Sequence, residues 1–274
     1  MLSIGVVICA NEISVPVLDL LKKEGCSTLS ISFWKRLDEK KLFEIAKMLE
    51  SYDFEVTAIS IFGNTIESDE IKLAWKKLIK NNKIFGTPFI TGFAGRVENH
   101  SVEDSIIPWK ETFSDFIDLS YKYDCKGLLL ENCRMGDTWK RGKWNIAINP
   151  SAWNMMFNEI NDDKLGLEWE PYHQILAFVD PLDQLENWIS KIKHVHGKDA
   201  KTNWNKLRKI GLYDKDKAIC DAFPSFGDTN WQDIINILNK HKFNGSIDIE
   251  TQNTTFISKK DQILESLHYL NNLI

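Results

Sequence analysis

The chain has 274 residues, of which 43% are hydrophobic and 27% charged, and its formal net charge is −5. This composition is ordinary for a globular protein with a sizeable core, and the length suits one or two domains. The acidic balance gives no support to nucleic-acid binding, which usually comes with a basic excess or a basic patch.

The N-terminal stretch MLSIGVVICANEIS has an apolar centre but no Lys or Arg before it. It is too short to cross a bilayer and lacks the basic region of a secretory signal, so it predicts a buried first strand and no membrane association. The five cysteines include no CxxC pair. An odd number without a tight pattern favours reduced thiols in a cytoplasmic protein.

Eight short apolar runs predict strands at residues 4–8, 28–32, 55–61, 85–90, 127–131, 165–169, 192–196 and 246–249. Apolar residues at helical spacing between them predict helices, including 42–52, 109–123 and 231–241, the last with a cap at Asp228-Thr229. Eight strands that alternate with helices in about 250 residues form a closed parallel barrel. The predicted fold is therefore α/β, a single (β/α)8 TIM-barrel domain over residues 1–274. The long connection 197–244 exceeds what one helix needs, so its first part is expected to cover something.

The last four strands carry polar residues where a buried parallel strand is normally apolar throughout. Residues two apart on a strand share a face, so the alternation in LGLEWE, HVH and SIDIE points one polar face into the barrel. At the C-terminal ends of strands five to eight this face presents Glu131, Glu170, His196 and Glu250. One layer deeper it presents Glu168, His194 and Asp248.

Converging carboxylates in a barrel would repel and desolvate one another, and a divalent metal ion compensates for that directly. Active sites of this barrel lie at the C-terminal ends of its strands, where Glu131, Glu170, His196 and Glu250 fall. A single strand-end Glu or a lone His is more often structural, but four on adjacent strands favour a metal site. Oxygen-rich ligation with one imidazole favours Mn²⁺ and leaves Mg²⁺, Co²⁺ and Zn²⁺ open. The deeper three residues could orient the ligands, but a structural hydrogen-bond network is the favoured role for them.

From about Trp109 to Glu250 the chain resembles the sugar phosphate isomerase/epimerase family, whose fold is the xylose-isomerase-like TIM barrel. The likeness is carried by LLLENCRMGDTWKRGKWNIAINPSAWNMMF, LGLEWEPYHQ, Asp180-Pro181, KIKHVHGKD and FGDTNW with GSIDIE. In this family a Glu, an Asp, a His and a Glu bind one metal, and this chain departs at Glu170, where many members have Asp. A second departure is CDAFPSFGD, where Ala222 and Ser225 stand near the places of an Arg and a Pro-Gly pair in relatives.

The resemblance implies a ketose isomerase or epimerase. One metal-bound glutamate removes a proton next to the carbonyl, the metal stabilises the enediolate, and the other glutamate returns a proton to the opposite face. By match, Glu131 and Glu250 take these roles. His173 matches a substrate-binding histidine, and Asp137 falls where some epimerases hold a substrate hydroxyl.

Other candidates rest on position alone. Lys198 follows the seventh strand, where it could bind substrate oxygens or pair with Asp199. Trp34 could form an apolar wall for a sugar face or pack a loop, and Asn64 is a similar candidate. The predicted partner is a small-molecule sugar, with a homo-oligomer left open.

Three other functions compete. A dehydratase of a keto-inositol or keto-sugar would use the same metal site and the same proton abstraction. An endonuclease with three zinc ions needs more histidines at strand ends than His173 and His196. A non-catalytic sugar-binding protein would not need an intact pair of acid/base glutamates.

Overall fold

The structure is a computed structural model that describes residues 2–250 and 255–274. Its strands are β1 (Ser3–Cys9), β2 (Thr28–Trp34), β3 (Glu55–Phe62), β4 (Phe89–Gly92), β5 (Leu128–Glu131), β6 (Leu165–Trp169), β7 (Ile192–Gly197), β8 (Asp199–Thr202), β9 (Ile219–Ala222) and β10 (Ser246–Glu250). Its α-helices are α1 (Val15–Lys23), α2 (Glu39–Leu49), α3 (Asp69–Asn81), α4 (Val102–Lys122), α5 (Pro150–Glu159), α6 (Pro171–Leu176), α7 (Pro181–Trp188), α8 (Trp204–Ile210), α9 (Trp231–Lys240) and α10 (Phe256–Asn271). None of the helices in the described ranges is long and apolar enough to cross a membrane.

Eight of the strands close a parallel barrel in the order β1-β10-β7-β6-β5-β4-β3-β2. Helices follow the strands along the chain, so the predicted α/β barrel is confirmed. Parallel strands place all their carboxyl ends at one mouth of the barrel, and the last residues of β5 and β10 therefore share that mouth.

The predicted start of the fourth strand was wrong. Residues Asn82–Phe85 form a 3-10 turn that ends at Gly86, and the strand begins only at Phe89. Gly86 has φ 75°, a left-handed conformation that suits glycine and stops the turn. The apolar run at 84–90 thus crosses a turn that its hydropathy alone does not reveal.

Helix α4 begins at Val102, seven residues before the predicted start. Pro108 lies inside this helix, where proline removes a backbone hydrogen bond and normally favours a break. A capping box between Ser101 and Asp104 and the burial of Val102 and Trp109 support the helix on both sides of the proline.

The connection 197–244 contains an antiparallel hairpin of β8 and β9 with α8 between its strands. Buried Ala200, Leu207 and Ile219 of this insert form a small apolar cluster with Tyr172 of α6, so its first part covers the region next to β6, as expected. The predicted cap of α9 was wrong, because Asn230 and not Asp228-Thr229 accepts the hydrogen bond from the backbone of Asp233.

Polar side chains meet inside the barrel, one layer deeper than the carboxyl ends of its strands. The hydroxyls of Thr28 and Thr57 donate to the two carboxylate oxygens of Asp248, at 2.6 and 2.5 Å. Gly5 lies against them: a Cβ there would collide with Thr28 and come within 2.5 Å of Asp248 Oδ1. The missing side chain of Gly5 is therefore a steric condition for this polar layer.

We predict that Gly5→Ala lowers the free energy of unfolding by about 2–3 kcal/mol, because the added methyl group overpacks a rigid interior. Urea unfolding followed by circular dichroism measures the loss. The control is Gly86→Asn, at a left-handed position with nothing within 4 Å of an added Cβ, where asparagine is tolerated and the cost stays under about 1 kcal/mol. Equal losses for the two variants would contradict this account.

Candidate metal centre and active site

The four predicted ligands converge at the carboxyl ends of β5, β6, β7 and β10. One ligand atom from each of Glu131, Glu170, His196 and Glu250 lies within 4.8 Å of the others. His196 is central, since its Nδ1 is 3.3 Å from Glu131 Oε1 and 3.3 Å from Glu250 Oε2. We refer to these four residues as the ligand quartet.

Glu170 enters the quartet from a helix terminus. Strand β6 ends at Trp169, and Glu170 is the extended N-cap residue of α6, followed by Pro171 in the first turn. The first turn of α6 also supplies His173, whose Nε2 is 2.5 Å from Glu170 Oε1. The EPYH motif thus contributes two side chains, those of Glu170 and His173, to one site.

The three deeper residues form a continuous chain behind His196. His194 Nδ1 is 2.8 Å from Glu168 Oε1, and its Nε2 is 2.8 Å from Asp248 Oδ2. The same Glu168 oxygen lies 3.2 Å from His196 Nε2. Because Glu168 faces the ring nitrogen of His196 that points away from the quartet, it is placed to fix the orientation of that imidazole.

Lys198 is a buried cation beside the ligand quartet. Its Nζ is 3.0 Å from both carboxylate oxygens of Glu170 and 2.9 Å from Glu250 Oε2. The alternative pairing with Asp199 was wrong. The Asp199 carboxylate instead accepts hydrogen bonds from Thr229 and the Trp231 indole, which anchors the start of β8.

Burial and the neighbouring charges shift the pKa values of the three glutamates of the quartet in different directions. Burial raises the pKa of Glu131, and burial with the nearby Glu250 and Glu131 charges raises the pKa of Glu170 well above its usual range despite Lys198. Burial opposes ionisation of Glu250 too, but Lys198 and His196 outweigh it and hold its pKa well below the usual range.

The histidines of the site differ in charge. Burial, reinforced by Lys198, holds the pKa of His173 well below its usual value, which favours a neutral imidazole. Burial also acts against protonation of His196, but Glu168 and the adjacent carboxylates raise its pKa well above the usual value. Burial also raises the pKa of Glu168, but the positive charges of His196 and His194 outweigh it and lower this pKa to about 2.

Two asparagines that the sequence analysis did not single out position the ligand backbones. The side chain of Asn132 donates to the Glu170 carbonyl at 3.0 Å and accepts from the Glu170 N–H at 3.2 Å. Asn145 donates to the carbonyls of Glu131 and Cys133, both at 2.8 Å. The only sequence signal was the position of Asn132, directly after a strand-end ligand in LLLEN.

Asp137 and Asn64 make contacts within loops. The Asp137 carboxylate accepts three backbone N–H bonds from residues 143–145 at 2.8–2.9 Å. The Asn64 amide donates to the carbonyls of Arg96 and Lys143 and accepts from the Arg96 N–H. These bonds hold the loops after β3, β4 and β5 together, so the structure gives both side chains a supporting role that the sequence pattern did not indicate.

Trp34 belongs to an aromatic cluster at the same mouth of the barrel. Its ring centroid lies 6.2 Å from Phe62, 6.2 Å from Phe93 and 6.1 Å from Trp144. Trp34 remains 49% exposed, so part of its ring faces outward while the rest packs the loops. We call these four rings the aromatic wall.

The donors of the quartet fit a divalent metal ion. Buried polar atoms normally have a hydrogen-bond partner, yet within residues 2–250 and 255–274 the buried atoms His196 Nδ1, Glu170 Oε2 and Glu250 Oε2 have no aligned hydrogen bond. Lys198 contacts the last two only as an ion pair. Three carboxylates and one imidazole are ligands that suit Mn²⁺ and similar divalent ions.

The fold and the site define a class of protein: a closed parallel barrel with a cluster of carboxylate and imidazole groups at the carboxyl ends of its strands. The chain belongs to the xylose isomerase-like TIM barrel family, whose model matches residues 18–273. This confirms the family resemblance that the motifs of β5 to β10 indicated. No protein of curated function matches the chain in sequence.

Solved structures share this fold at low sequence identity. The 3-keto-D-glucoside 4-epimerase YcjR of E. coli is 11% identical with a TM-score of 0.73, over 99% of this chain and 100% of that one. The probable 3-DHS dehydratase AsbF of Bacillus anthracis is 14% identical with a TM-score of 0.70, over 98% and 99%. The IOLI protein, solved with a bound zinc atom, is 15% identical with a TM-score of 0.68, over 99% and 96%.

We predict that Lys198→Met destabilises the metal-free protein by about 3–5 kcal/mol, because Glu170 and Glu250 lose their buried counter-charge. Added Mn²⁺ then restores more stability than it gives the wild type, since the ion replaces the missing cation. Urea unfolding in EDTA and in Mn²⁺ measures both effects.

The matched control is Lys201→Met. Lys201 lies 2.8 Å from Asp228, but its side chain is 62% exposed, so the loss stays under about 1 kcal/mol. The response to Mn²⁺ is expected to match the wild type. If Lys198→Met gains no more from Mn²⁺ than the wild type does, Lys198 and the metal do not share the same carboxylates.

Proposed function

We propose that this protein is a divalent-metal-dependent isomerase or epimerase of a ketose or a related sugar. A single observation carries the proposal: two glutamates, the buried Glu131 and the partly buried Glu250, reach the same nitrogen of His196, each at 3.3 Å. Two carboxylates around one centre are what proton removal on one face of a substrate and proton return on the other require. Sugar epimerases among the proteins with the same fold support this substrate class.

The ligand quartet would hold the metal, with Mn²⁺ favoured by its donors. When bound, such an ion polarises a carbonyl and lowers the barrier to forming an enediolate. Of the chain's own groups, Glu131 and Glu250 exchange the proton at the carbon next to the carbonyl. Neutral His173 offers a ring nitrogen to a substrate oxygen, and the aromatic wall around Trp34 covers an apolar sugar face.

A dehydratase is the second candidate. It shares the proton abstraction but expels a hydroxyl group, which leaves more easily when an acid protonates it. Lys198 places a buried ammonium 2.9 Å from Glu250, where its positive charge would stabilise the departing oxygen. Detection of a dehydrated product, absent for an epimerase, separates the two reactions.

A small-molecule sugar as partner and a cytoplasmic location complete the proposal. The five cysteines are all unpaired, which is usual for proteins of a reducing compartment.

We predict about one divalent ion per chain after brief dialysis, and a loss of metal affinity of at least about tenfold in His196→Ala, because the central ligand is gone. Elemental analysis and calorimetric titration with Mn²⁺ measure both quantities. His100→Ala, at an exposed loop histidine, serves as the control. About three zinc ions per chain would instead favour the endonuclease, and no retained metal would favour a binding protein.

We further predict that the wild type exchanges the proton next to the carbonyl of a ketose with solvent D2O. Glu250→Gln, at saturating metal, lowers the exchange rate by about a thousandfold, because an amide cannot take up the proton. Proton NMR follows the exchange. Glu186→Gln changes a surface carboxylate that pairs with Lys240 and is the control. Near-normal exchange in Glu250→Gln would remove it from the acid/base pair.

A further inference from the structure

A cavity of about 160 Å³ lies directly beside the ligand quartet. It shares Lys198 and Glu250 with the site, and its other walls come from two elements. The segment from the end of β9 contributes Asp221, Ala222, Phe223 and Phe226, while α10 contributes Lys259 and Gln262. The polypeptide therefore forms a cavity that extends from the reacting groups toward α10.

The chemistry of these walls is that of a neutral polar ligand. Phe223 and Phe226 offer flat apolar surface, whereas Asp221, Lys259 and Gln262 offer an acceptor, a donor and a group with both. The charges of the walls balance, because Asp221 and Glu250 oppose Lys198 and Lys259, so the cavity favours neither an anion nor a cation. A purely apolar ligand would leave the three polar side chains without partners.

The three polar side chains have no partner in the part of the chain that the structure describes. Within residues 2–250 and 255–274, Asp221, Lys259 and Gln262 make no side-chain hydrogen bond or ion pair. The neighbouring Lys260 differs, because it lies 3.8 Å from Asp261 and does not line the cavity. Aromatic walls with free donors and acceptors are a common composition of small-molecule sites, in which a few polar groups fix the orientation.

We propose that this cavity is a second sugar subsite and that the substrate is a ketose linked to another neutral sugar unit. The reacting ketose occupies the quartet, and the attached ring stacks on Phe223 or Phe226 and hydrogen-bonds to Asp221, Lys259 and Gln262. This inference rests on the proposed ketose chemistry, because Lys198 and Glu250 join the cavity to that reaction centre.

The test compares free fructose with isomaltulose and lactulose, in which a fructose unit with a free carbonyl carries a second sugar on O6 or O4. The metal-loaded wild type is assayed for exchange of the proton next to the carbonyl in D2O, and calorimetry measures binding independently of turnover. At least one disaccharide is expected to exceed fructose by about tenfold or more in kcat/KM and in affinity, since its second ring gains hydrogen bonds to charged groups.

Two variants probe the cavity. Lys259→Met removes the ammonium but keeps the aliphatic stem, and Ala222→Leu fills the space. Each is expected to lower the ratio of disaccharide to fructose kcat/KM by about tenfold. Lys260→Met is the matched control on the same helix turn and is expected to keep the wild-type ratio. Should Ala222→Leu not fold, Lys259→Met alone decides.

The outcomes separate this inference from the proposed function. Exchange on fructose and disaccharides at equal efficiency, with Lys259→Met like the wild type, overturns the subsite and leaves the ketose chemistry intact. Absence of exchange on any ketose, with isomaltulose or lactulose still bound more tightly than fructose and weakened by Lys259→Met, overturns the function and supports the subsite.

Discussion

Charge compensation inside the barrel is the constraint on which the rest of the structure depends. Five carboxylates share this interior with two imidazoles and one ammonium: Glu131, Glu168, Glu170, Asp248 and Glu250, with His194, His196 and Lys198. An ion buried alone costs several kcal/mol. The groups therefore alternate in sign, with His194 between Glu168 and Asp248 and Lys198 between Glu170 and Glu250.

The strands β6, β7 and β10 turn their apolar faces away from these charged groups. Leu167 and Ile249 pack in the main apolar core, whereas Ala58, Phe89 and Leu129 form a separate small apolar cluster, and Leu129 shares a strand face with Glu131. The Thr28 and Thr57 hydroxyls stabilise Asp248, and Gly5 leaves them room. The hydrogen bonds of Asp248 to Thr28, Thr57 and His194 therefore stabilise the barrel and also support the site above them. Substitutions near Asp248 are expected to affect both.

The period of two along strands is a local property, and it sufficed to place the polar face of β6, β7 and β10, and with it Glu170, His196 and Glu250. Glu131 followed from its position at the end of β5. The family resemblance added the roles. Contacts between segments that are separated in sequence were not predictable from the pattern. The Asn145 side chain donates a hydrogen bond to the carbonyl of Glu131, 14 residues away, and the Asn64 side chain donates to the carbonyl of Lys143, 79 residues away. Helix α4 continues through Pro108 because its flanks are capped and buried, which hydropathy does not report.

The mouth of the barrel is divided between two kinds of surface. The ends of β2, β3 and β4 and the loop after β5 form the aromatic wall, with Trp34 partly exposed. The ends of β5, β6, β7 and β10 carry the charged side chains of the ligand quartet, and the cavity beside Glu250 extends that half of the mouth. The proposed sugar substrate has one face rich in C–H groups and hydroxyls around its edge, so it would match both surfaces at once. Lys198 lies between the ligand quartet and the cavity. Its ammonium group forms ion pairs with Glu170 and Glu250, and its side chain also lines the cavity next to them.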